Sequence, residues 1–207
     1  GGDTFAVIID QAQNVGIGTA SPGKQLTIGS ATGGTMEFRR SEGTITDNEL
    51  IGEISFTGDD PSASQVGAYI RCYADGASWS STDFPTRLSL WTTPDGSGTP
   101  LERLRIDDSG NVGIGRAPTA QLDVYNDSGN VYAIVEASAG SAAAGLQLLG
   151  ASNDESRLWF GISGGDVDAG RIVYNHSSDA MTFTAEATTP MVLDTNSSIS
   201  LSNNDSG

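Results

Sequence analysis

The stretch "LRIDDSGNVGIGRAPTAQLDV", residues 104–124, decides the fold because it combines strand alternation with closely spaced glycines. Leu104 and Ile106 alternate with arginines, which is the period-two pattern of a half-buried strand. The turn residues "DDSGN" come next, and beyond them Val112 and Ile114 alternate with glycines. Glycines within a strand mark the close approach of another backbone. The stretch therefore predicts two short strands around a tight turn. The second strand has aliphatic side chains on one face and only glycines on the other.

The glycines of "GNVGIG", residues 110–115, do not form a nucleotide-binding loop. A dinucleotide fingerprint needs G-x-G-x-x-G leading into a helix. Here "RAP" follows the last glycine, so the third glycine is missing and no helical apolar period begins. A calcium-binding EF-hand is also disfavoured, because the twelfth position counted from Asp107 is Pro118 rather than the required Glu.

The same phrase recurs at two other places in the chain. "VIIDQAQNVGIGTASPGKQLTI", residues 7–28, matches it with Asn14 in the place of Asn111. A degraded third copy, "VLDTNSSISL", residues 192–201, lacks the glycines but keeps a Leu-Asp pair and two later aliphatic residues. We call these three copies the joints. Self-similarity of this kind is typical of repeat architectures.

The segments between the joints consist of strand-length runs bounded by clusters of Gly, Asp, Asn and Ser. The runs are residues 53–58, 67–74, 87–93, 157–163, 170–175 and 181–187. Only residues 135–150 could be helical, and the glycines there favour strand and loop instead. About a dozen strands and an all-β fold are predicted.

The charge balance excludes several classes of partner. There are 26 acidic residues against 10 basic ones, so the net charge is −16. Because nucleic-acid affinity comes mostly from Lys and Arg, we expect no nucleic-acid partner. No run approaches the ~20 apolar residues of a membrane span, so no membrane insertion is expected. The chain has no signal peptide and no initial Met, which favours a fragment or a processed product.

Metal and cofactor chemistry lacks the necessary residues. Cys72 is the only cysteine and His176 the only histidine, too few for a zinc site or an internal disulfide. We predict no metal and no cofactor. Cys72 is expected to be a small buried hydrophobe, and His176 an exposed residue in a turn-like loop.

The short strands do not carry enough apolar residues for a core of their own. Elements that cannot cover their apolar face stack on neighbours or wind around other chains. Three identical chains winding about one axis would bring the joint aliphatic residues together, and the glycines would let the backbones come close. The residues predicted to pack on this axis are Val15, Ile17, Val112, Ile114, Ile199 and Leu201.

The joints also resemble the shaft repeat of bacteriophage tail fibres, over residues 5–30 and 99–126. The resemblance extends to "GRIVYNHSSDAMTFTAEATTPMVLDTNSSISLSNNDSG", residues 170–207. It implies an elongated, intertwined homotrimeric fibre of the virion, extracellular, that contacts other tail proteins and a host surface glycan or protein. Many such fibres end in an endosialidase-type intramolecular chaperone, which trimerises the fibre and then cuts itself off. That chaperone is absent here, so its cleavage residues have no counterpart.

The resemblance also implies how the chain is organised. Shaft repeats are expected at residues 1–30 and 99–126, with a degenerate one at 189–207. The segments between them, 31–98 and 127–188, are expected to be small β-rich domains.

A polysaccharide-degrading tailspike is one alternative function. A glycosidase needs two carboxyl groups ~5–9.5 Å apart, and the candidate pairs are Glu49 with Glu53 and Asp59 with Asp60. With 26 acidic residues such neighbours arise by chance, and the regular short coils of a β-helix depolymerase are missing. We therefore predict no enzyme and no catalytic residue. A bacterial surface adhesin or extracellular filament subunit remains a further alternative, because related repeats occur in bacterial genomes.

Aromatic residues indicate where a receptor would bind. Loops on a rigid β scaffold vary without disturbing it, and tryptophan faces dock sugars. In the loop 75–86 we single out Trp79, Asp83 and Phe84, with Trp79 expected to be exposed. Packing of Trp79 against a neighbouring chain is the alternative. Trp91 is expected in the core of a β-rich segment.

Overall fold

A computed structural model describes residues 6–60, 63–76, 78–136, 144–152, 154–161, 169–185, 188–193 and 199–201. The chain divides into two compact units, Gly1–Tyr132 and Ala133–Gly207. The described residues form fourteen strands and no helix, which confirms the predicted all-β fold. The helical alternative for residues 135–150 does not occur in 135–136 and 144–150, and 137–143 lie outside the described residues.

The first unit begins with a three-stranded sheet made by the first joint. Its strands are β1 (Val7–Ile9), β2 (Val15–Ile17) and β3 (Leu26–Ile28). β1 and β2 pair antiparallel, whereas β2 and β3 pair parallel. Such a parallel return normally needs a long crossover, but here the chain makes it within the short loop 18–25.

The first unit also contains a six-stranded sheet in which the order along the sheet follows the order along the chain. Its strands are β4 (Leu50–Asp59), β5 (Ser64–Ala74), β6 (Thr86–Thr92), β7 (Leu101–Ile106), β8 (Val112–Ile114) and β9 (Leu122–Val124). The second joint supplies β7, β8 and β9, with the same antiparallel and then parallel pairing as the first joint. The joint strands therefore continue the sheet of the preceding β-rich segment.

The second unit is a five-stranded antiparallel meander. Its strands are β10 (Glu155–Phe160), β11 (Gly170–Asn175), β12 (Ala180–Ala185), β13 (Thr188–Leu193) and β14 (Ile199–Leu201). Each of the six strand-length runs picked out in the sequence overlaps one of these strands or one of β4, β5 and β6. The prediction of strands in the segments between joints is therefore confirmed.

The register confirms that all three joints follow one pattern. Ile106 pairs with Val112 in the second joint, and Leu193 pairs with Ile199 in the third. The same pairing pattern extends to the strands before each joint. Leu90 pairs with Leu104 in the six-stranded sheet, Phe183 pairs with Met191 in the five-stranded sheet, and a β-bulge follows each pair. The strands β4–β8 and β10–β14 are thus two versions of one arrangement. The sequence analysis did not find this correspondence.

The turn inside each of the first two joints is closed by an aspartate. In the second joint, Asp107 Oδ1 accepts the N–H of Asn111 at 2.8 Å, and Asp107 Oδ2 accepts the Asn111 side-chain amide at 3.1 Å. The first joint repeats both bonds between Asp10 and Asn14 at the same two distances. The acidic stretch "DDSGN" is therefore explained by its turn, because its carboxylate is occupied by the chain's own donors.

The joint glycines bring two parts of the same chain together. A Cβ on Gly113 would collide with the carbonyl oxygen of Arg116 and lie 2.9 Å from Pro118 Cδ. Gly115 has a φ of 84°, in the left-handed region that side chains disfavour, and a Cβ there would meet the carbonyl of Tyr125. The expected close approach of another backbone is present, and that backbone belongs to the chain itself.

We expect Gly113→Ala to lower the free energy of unfolding by about 1–3 kcal/mol, because the loop 115–121 must move to accommodate a methyl group. Urea denaturation followed by circular dichroism measures this change. Gly58→Ala is the matched control, since a Cβ on this strand glycine meets nothing within 4 Å, and we expect a change within about 0.5 kcal/mol. Equal effects of the two substitutions would contradict the role of Gly113.

Candidate functional site

One face of the six-stranded sheet is aliphatic from edge to edge. Cross-strand partners share a face of a sheet, so the register places these residues in continuous rows. One row is Ile54, Ile70, Leu90, Leu104, Ile114 and Val124, and the next is Gly52, Cys72, Leu88, Ile106, Val112 and Leu122. A shorter third row is Phe56, Ala68, Thr92 and Leu101. We call this surface the aliphatic face.

The aliphatic face is open to solvent in a single chain. Leu88 is 45% exposed, Ile114 is 41% exposed and Leu122 is 65% exposed. Among the residues that the structure describes, only Ile45, Ala74 and Val173 are buried apolar residues. An exposed apolar surface of this extent is typical of an interaction site. The single chain therefore lacks a hydrophobic core of ordinary size.

The residues predicted to pack on a trimer axis all fall on strands of the joints. Val112 and Ile114 lie on the aliphatic face, and Val15 and Ile17 occupy the corresponding positions of the first sheet. Ile17 is exposed and Val15 is half-buried. Ile199 and Leu201 lie on β14, and their side chains are outside the described part of the chain. Their packing on an axis stays a prediction.

A shallow pocket interrupts the aliphatic face near β4. It has a volume of about 250 Å³, and Phe38, Gly52, Cys72 and Leu88 are among the residues that line it. Phe38 folds over Gly52, and a Cβ on that glycine would lie 2.5 Å from the Phe38 Cβ. Burial raises the pKa of the Cys72 thiol, so this half-buried side chain stays a neutral thiol at neutral pH.

The opposite face of the same sheet is polar and internally paired. Glu53 accepts from Arg71 at 2.9 Å, and the Arg71 guanidinium lies 3.4 Å from the centroid of the Tyr69 ring. Trp91 lies beside Tyr69 on this face, half-buried, and its indole N–H donates to Ser89 Oγ at 2.7 Å. The expectation that Trp91 packs in an apolar core is therefore wrong. Its polar neighbours and the period-two alternation put it on the charged side of the sheet.

Arg87 anchors the loop 75–86 to the sheet. This residue is only 6% exposed, and its guanidinium donates to Asp75 Oδ1 at 2.8 Å and to Asn48 Oδ1 at 2.7 Å. It also donates to the carbonyl of Ala74 at 3.1 Å and lies over the Tyr73 ring. One buried cation thus ties together the start of the loop, the sheet and the segment that precedes β4.

The three receptor candidates differ in their exposure within that loop. Trp79 is half-buried. Its backbone N–H donates a hydrogen bond to the Ile45 carbonyl at 2.9 Å, and its indole N–H donates one to the Pro85 carbonyl at 3.1 Å. The expectation that Trp79 is exposed is therefore wrong. Phe84 is 56% exposed and meets Trp79 edge to face at 5.5 Å, and Asp83 is exposed. Trp79 supports the loop, and Asp83 and Phe84 form its surface.

The second joint contains an ion pair between Arg116 and Asp123 that the first joint lacks. The buried Asp123 carboxylate accepts two N–H groups of Arg116 at 3.0 and 2.8 Å, and both the N–H and the hydroxyl of Thr119. The Arg116 bonds, followed by those from Thr119, lower the pKa of Asp123 to about 2. Thr27 takes the place of Asp123 in the first joint and pairs with Gly16 there, as Asp123 pairs with Gly113.

Of the carboxylates considered for a glycosidase, Glu49 and Glu53 are held by other partners, Glu53 by Arg71 at 2.9 Å. Glu49 accepts from the Thr46 N–H at 2.6 Å and from Arg40 at 2.7 Å, and the Thr46 bond lowers its pKa. A general acid needs a raised pKa. Every described carboxyl group whose pKa is displaced, Glu155 included, is displaced downward. These groups are ionised at neutral pH and do not match a general acid.

His176 is half-buried, whereas the sequence favoured an exposed loop position. Its Nε2 lies 2.9 Å from Ser156 Oγ, which also accepts the N–H of Gly150 at 2.9 Å. The ring packs edge to face on Tyr174 at 5.0 Å. His176 therefore joins the segment before β10 to the end of β11.

Among the residues that the structure describes, no group of three or more His, Cys, Asp or Glu side chains is arranged to hold a metal ion. The described part of the chain also contains no helix with the length and apolar character needed to cross a bilayer.

Two solved structures have a similar overall fold. The chain superposes with a TM-score of 0.60 and 14% identity on the carboxy-terminal domain of the bacteriophage T5 L-shaped tail fibre with its intramolecular chaperone domain. The chain has the fold of a bacteriophage tail-fibre domain. A second structure of that T5 domain gives the same TM-score of 0.60 at 13% identity.

The extent of the tail-fibre match differs between the two structures. In both, 86% of this chain is covered. The chain spans 62% of the T5 structure that includes the chaperone and 90% of the one described as the carboxy-terminal domain alone. No protein-family model matches the sequence, and no curated protein matches it significantly.

We expect Arg87→Met to lower the free energy of unfolding by about 3 kcal/mol, because it leaves Asp75 and Asn48 without their buried donor. Urea denaturation provides the measurement. The control is Arg39→Met, which removes a fully solvated pair with Glu37 and should cost less than about 1 kcal/mol. A small effect of Arg87→Met would contradict this role of Arg87.

The ion pair between Arg116 and Asp123 predicts a loss of stability in acid. Its pKa is about 2 in the folded chain against 3.8 in a free carboxyl, so its contribution is complete above pH 3.8 and disappears as the pH falls through about 2. We expect Asp123→Asn to melt below the wild type at pH 6 and to approach it at pH 2. Thermal melts across this range measure the difference, and a constant gap between the two proteins would contradict the assignment.

Proposed function

We propose that the chain is a structural and binding component of a bacteriophage tail fibre, that it forms a homotrimer, and that it contributes to attachment at the host surface. The observation that carries the proposal is the aliphatic face on a tail-fibre fold. A chain with this surface exposed is incomplete as a monomer, because the residues that should form a core face solvent.

Three copies around one axis account for the exposed residues better than one copy does. Val112 and Ile114 would meet their counterparts on the axis, as would Val15 and Ile17 in the first joint. The polar face, with its internally paired ions, would then face outward. In this organisation, residues 1–30, 99–126 and 189–207 act as shaft repeats, and 31–98 and 127–188 act as the β-rich segments between them.

Host contact would come from the loop 75–86. Its partner would be a glycan or protein of the host surface, with Asp83 and Phe84 as exposed contacts and Trp79 as their support. At its ends the fibre would join other tail proteins of the virion. An extracellular location follows from this role.

A polysaccharide-degrading tailspike is the second candidate. The lowered pKa of Glu49 does not favour it, because a glycosidase acid must hold its proton near neutral pH. Incubation with host polysaccharide and an assay for reducing ends would reveal such an activity. A bacterial adhesin or filament subunit would use the same joints, and light scattering separates it from a trimer because a filament grows with concentration.

We expect the wild-type chain to sediment as a trimer at micromolar concentration. Ile114→Asp should convert it to monomers, because it places three carboxylates in an apolar contact, at a cost of several kcal/mol. Light scattering coupled to size exclusion measures the mass of both proteins. A folded wild-type monomer at this concentration would overturn the trimer.

We expect Phe84→Ala and Asp83→Asn to weaken adsorption of the fibre to host cells by at least about tenfold while leaving the melting temperature unchanged, because both side chains are exposed. The matched control is Thr57→Ala, an exposed substitution on β4 outside the loop. Adsorption equal to that of the wild type would place the receptor contact elsewhere on the fibre.

A further inference from the structure

We infer that the aliphatic face of the β-rich segments, and not the joints alone, is the binding surface for a second and third copy of this chain. The inference rests on the proposed trimer and assigns where its contact energy lies. Sequence reasoning located the contact in the joints, at residues such as Val112 and Ile114. The register extends the same surface over three more strands of the sheet, β4, β5 and β6.

The continuity of the rows is the first reason. Ile114 lies in a row that runs from Val124 through Leu104 and Leu90 to β4, and Val112 lies in a second row with Ile106 and Leu88. No charged residue interrupts either row. A partner that covers the joint residues therefore meets further uncharged aliphatic surface on the adjoining strands. Burial of that surface would also be favourable.

The area is the second reason. Strands lie about 4.8 Å apart and same-face residues about 6.8 Å apart, so six strands with two to three rows span about 500 Å². One joint alone, with three short strands, offers about 200 Å² by the same spacing. A stable interface buries about 800 Å² per partner. The six-stranded sheet comes closer to this size than its joint does alone.

The identity of the partner follows from repetition and charge. The rows of the six-stranded sheet recur in the five-stranded sheet, where Leu158 pairs with Ile172 and Phe183 with Met191. A copy of this chain carries both of these aliphatic surfaces in the same order along its sequence, so a copy can match both of them. The net charge of −16 is carried elsewhere on the chain, so copies can meet on a surface that lacks charge.

The pocket beside Gly52 fits this assignment. It opens on the aliphatic face, and its lining is apolar around Phe38, Ile54 and Leu88. Cys72 lies in the same row as Leu88, half-buried in one chain. The inference predicts that assembly buries this only cysteine completely.

Leu88→Glu tests the inference directly. Leu88 is 45% exposed in the single chain, so a glutamate there remains hydrated in the monomer and the fold should survive, as circular dichroism can verify. We expect the concentration for half-assembly to rise by at least about 100-fold, since the carboxylate would have to be buried between copies. Ser55→Glu introduces the same group on the polar face and should leave assembly unchanged.

The outcomes separate the inference from the proposed function. If Leu88→Glu stays trimeric while Ile114→Asp dissociates, the joints carry the contact and the inference is wrong, although the trimer stands. If the wild type is a monomer, the proposed function fails first. If Ser55→Glu dissociates the trimer as strongly as Leu88→Glu does, the contact does not depend on the aliphatic face and the inference is also wrong.

Labelling of the native cysteine gives a second measurement that needs no destabilising variant. We expect maleimide to react with Cys72 at least about tenfold more slowly at a concentration where trimers form than after dilution to monomers, because the thiol becomes inaccessible. Ser55→Cys combined with Cys72→Ser places the thiol on the polar face and should react at one rate throughout. Equal reactivity of Cys72 in trimer and monomer would overturn the inference.

Discussion

An aliphatic sheet face that one chain leaves in water is the constraint on which the rest of this structure depends. In the six-stranded sheet, alternation puts isoleucine, leucine and valine on one side and the paired charges on the other, and the apolar side is exposed at Leu88, Ile114 and Leu122. Among all the described residues, the buried apolar ones are only Ile45, Ala74 and Val173. Because burial of apolar surface is the main favourable term in folding, the proposed trimer would supply the covering surface that this face lacks.

The second joint continues the aliphatic face of the segment that precedes it. Gly113 and Gly115 let the chain turn back on its own backbone, so that β9 can lie parallel to β8 after a very short connection. Asp123 and Arg116 hold the returning loop in the second joint. The third joint has Ser200 where the others have glycine, and the structure describes its antiparallel half, β13 with β14.

The polar side of the molecule is largely satisfied by its own groups. Glu53 pairs with Arg71 on the neighbouring strand, Glu102 pairs with Arg105 on the same strand, and Glu49 is held by Thr46 and Arg40. These pairs leave few charges of this face without a partner. In the proposed fibre, this polar face would be the one in contact with solvent.

The sequence by itself determined the strands and the joints, because period-two alternation, turn residues and glycine spacing are local properties of the chain. It also identified the aliphatic residues of the joints. Only the tertiary structure showed that β4–β8 and β10–β14 share one arrangement, since the correspondence lies in pairings between distant strands and not in residue identity. It also placed Trp79 against Pro85 and Ile45, and His176 against Ser156. Those positions depend on contacts between separate segments, which no local pattern encodes.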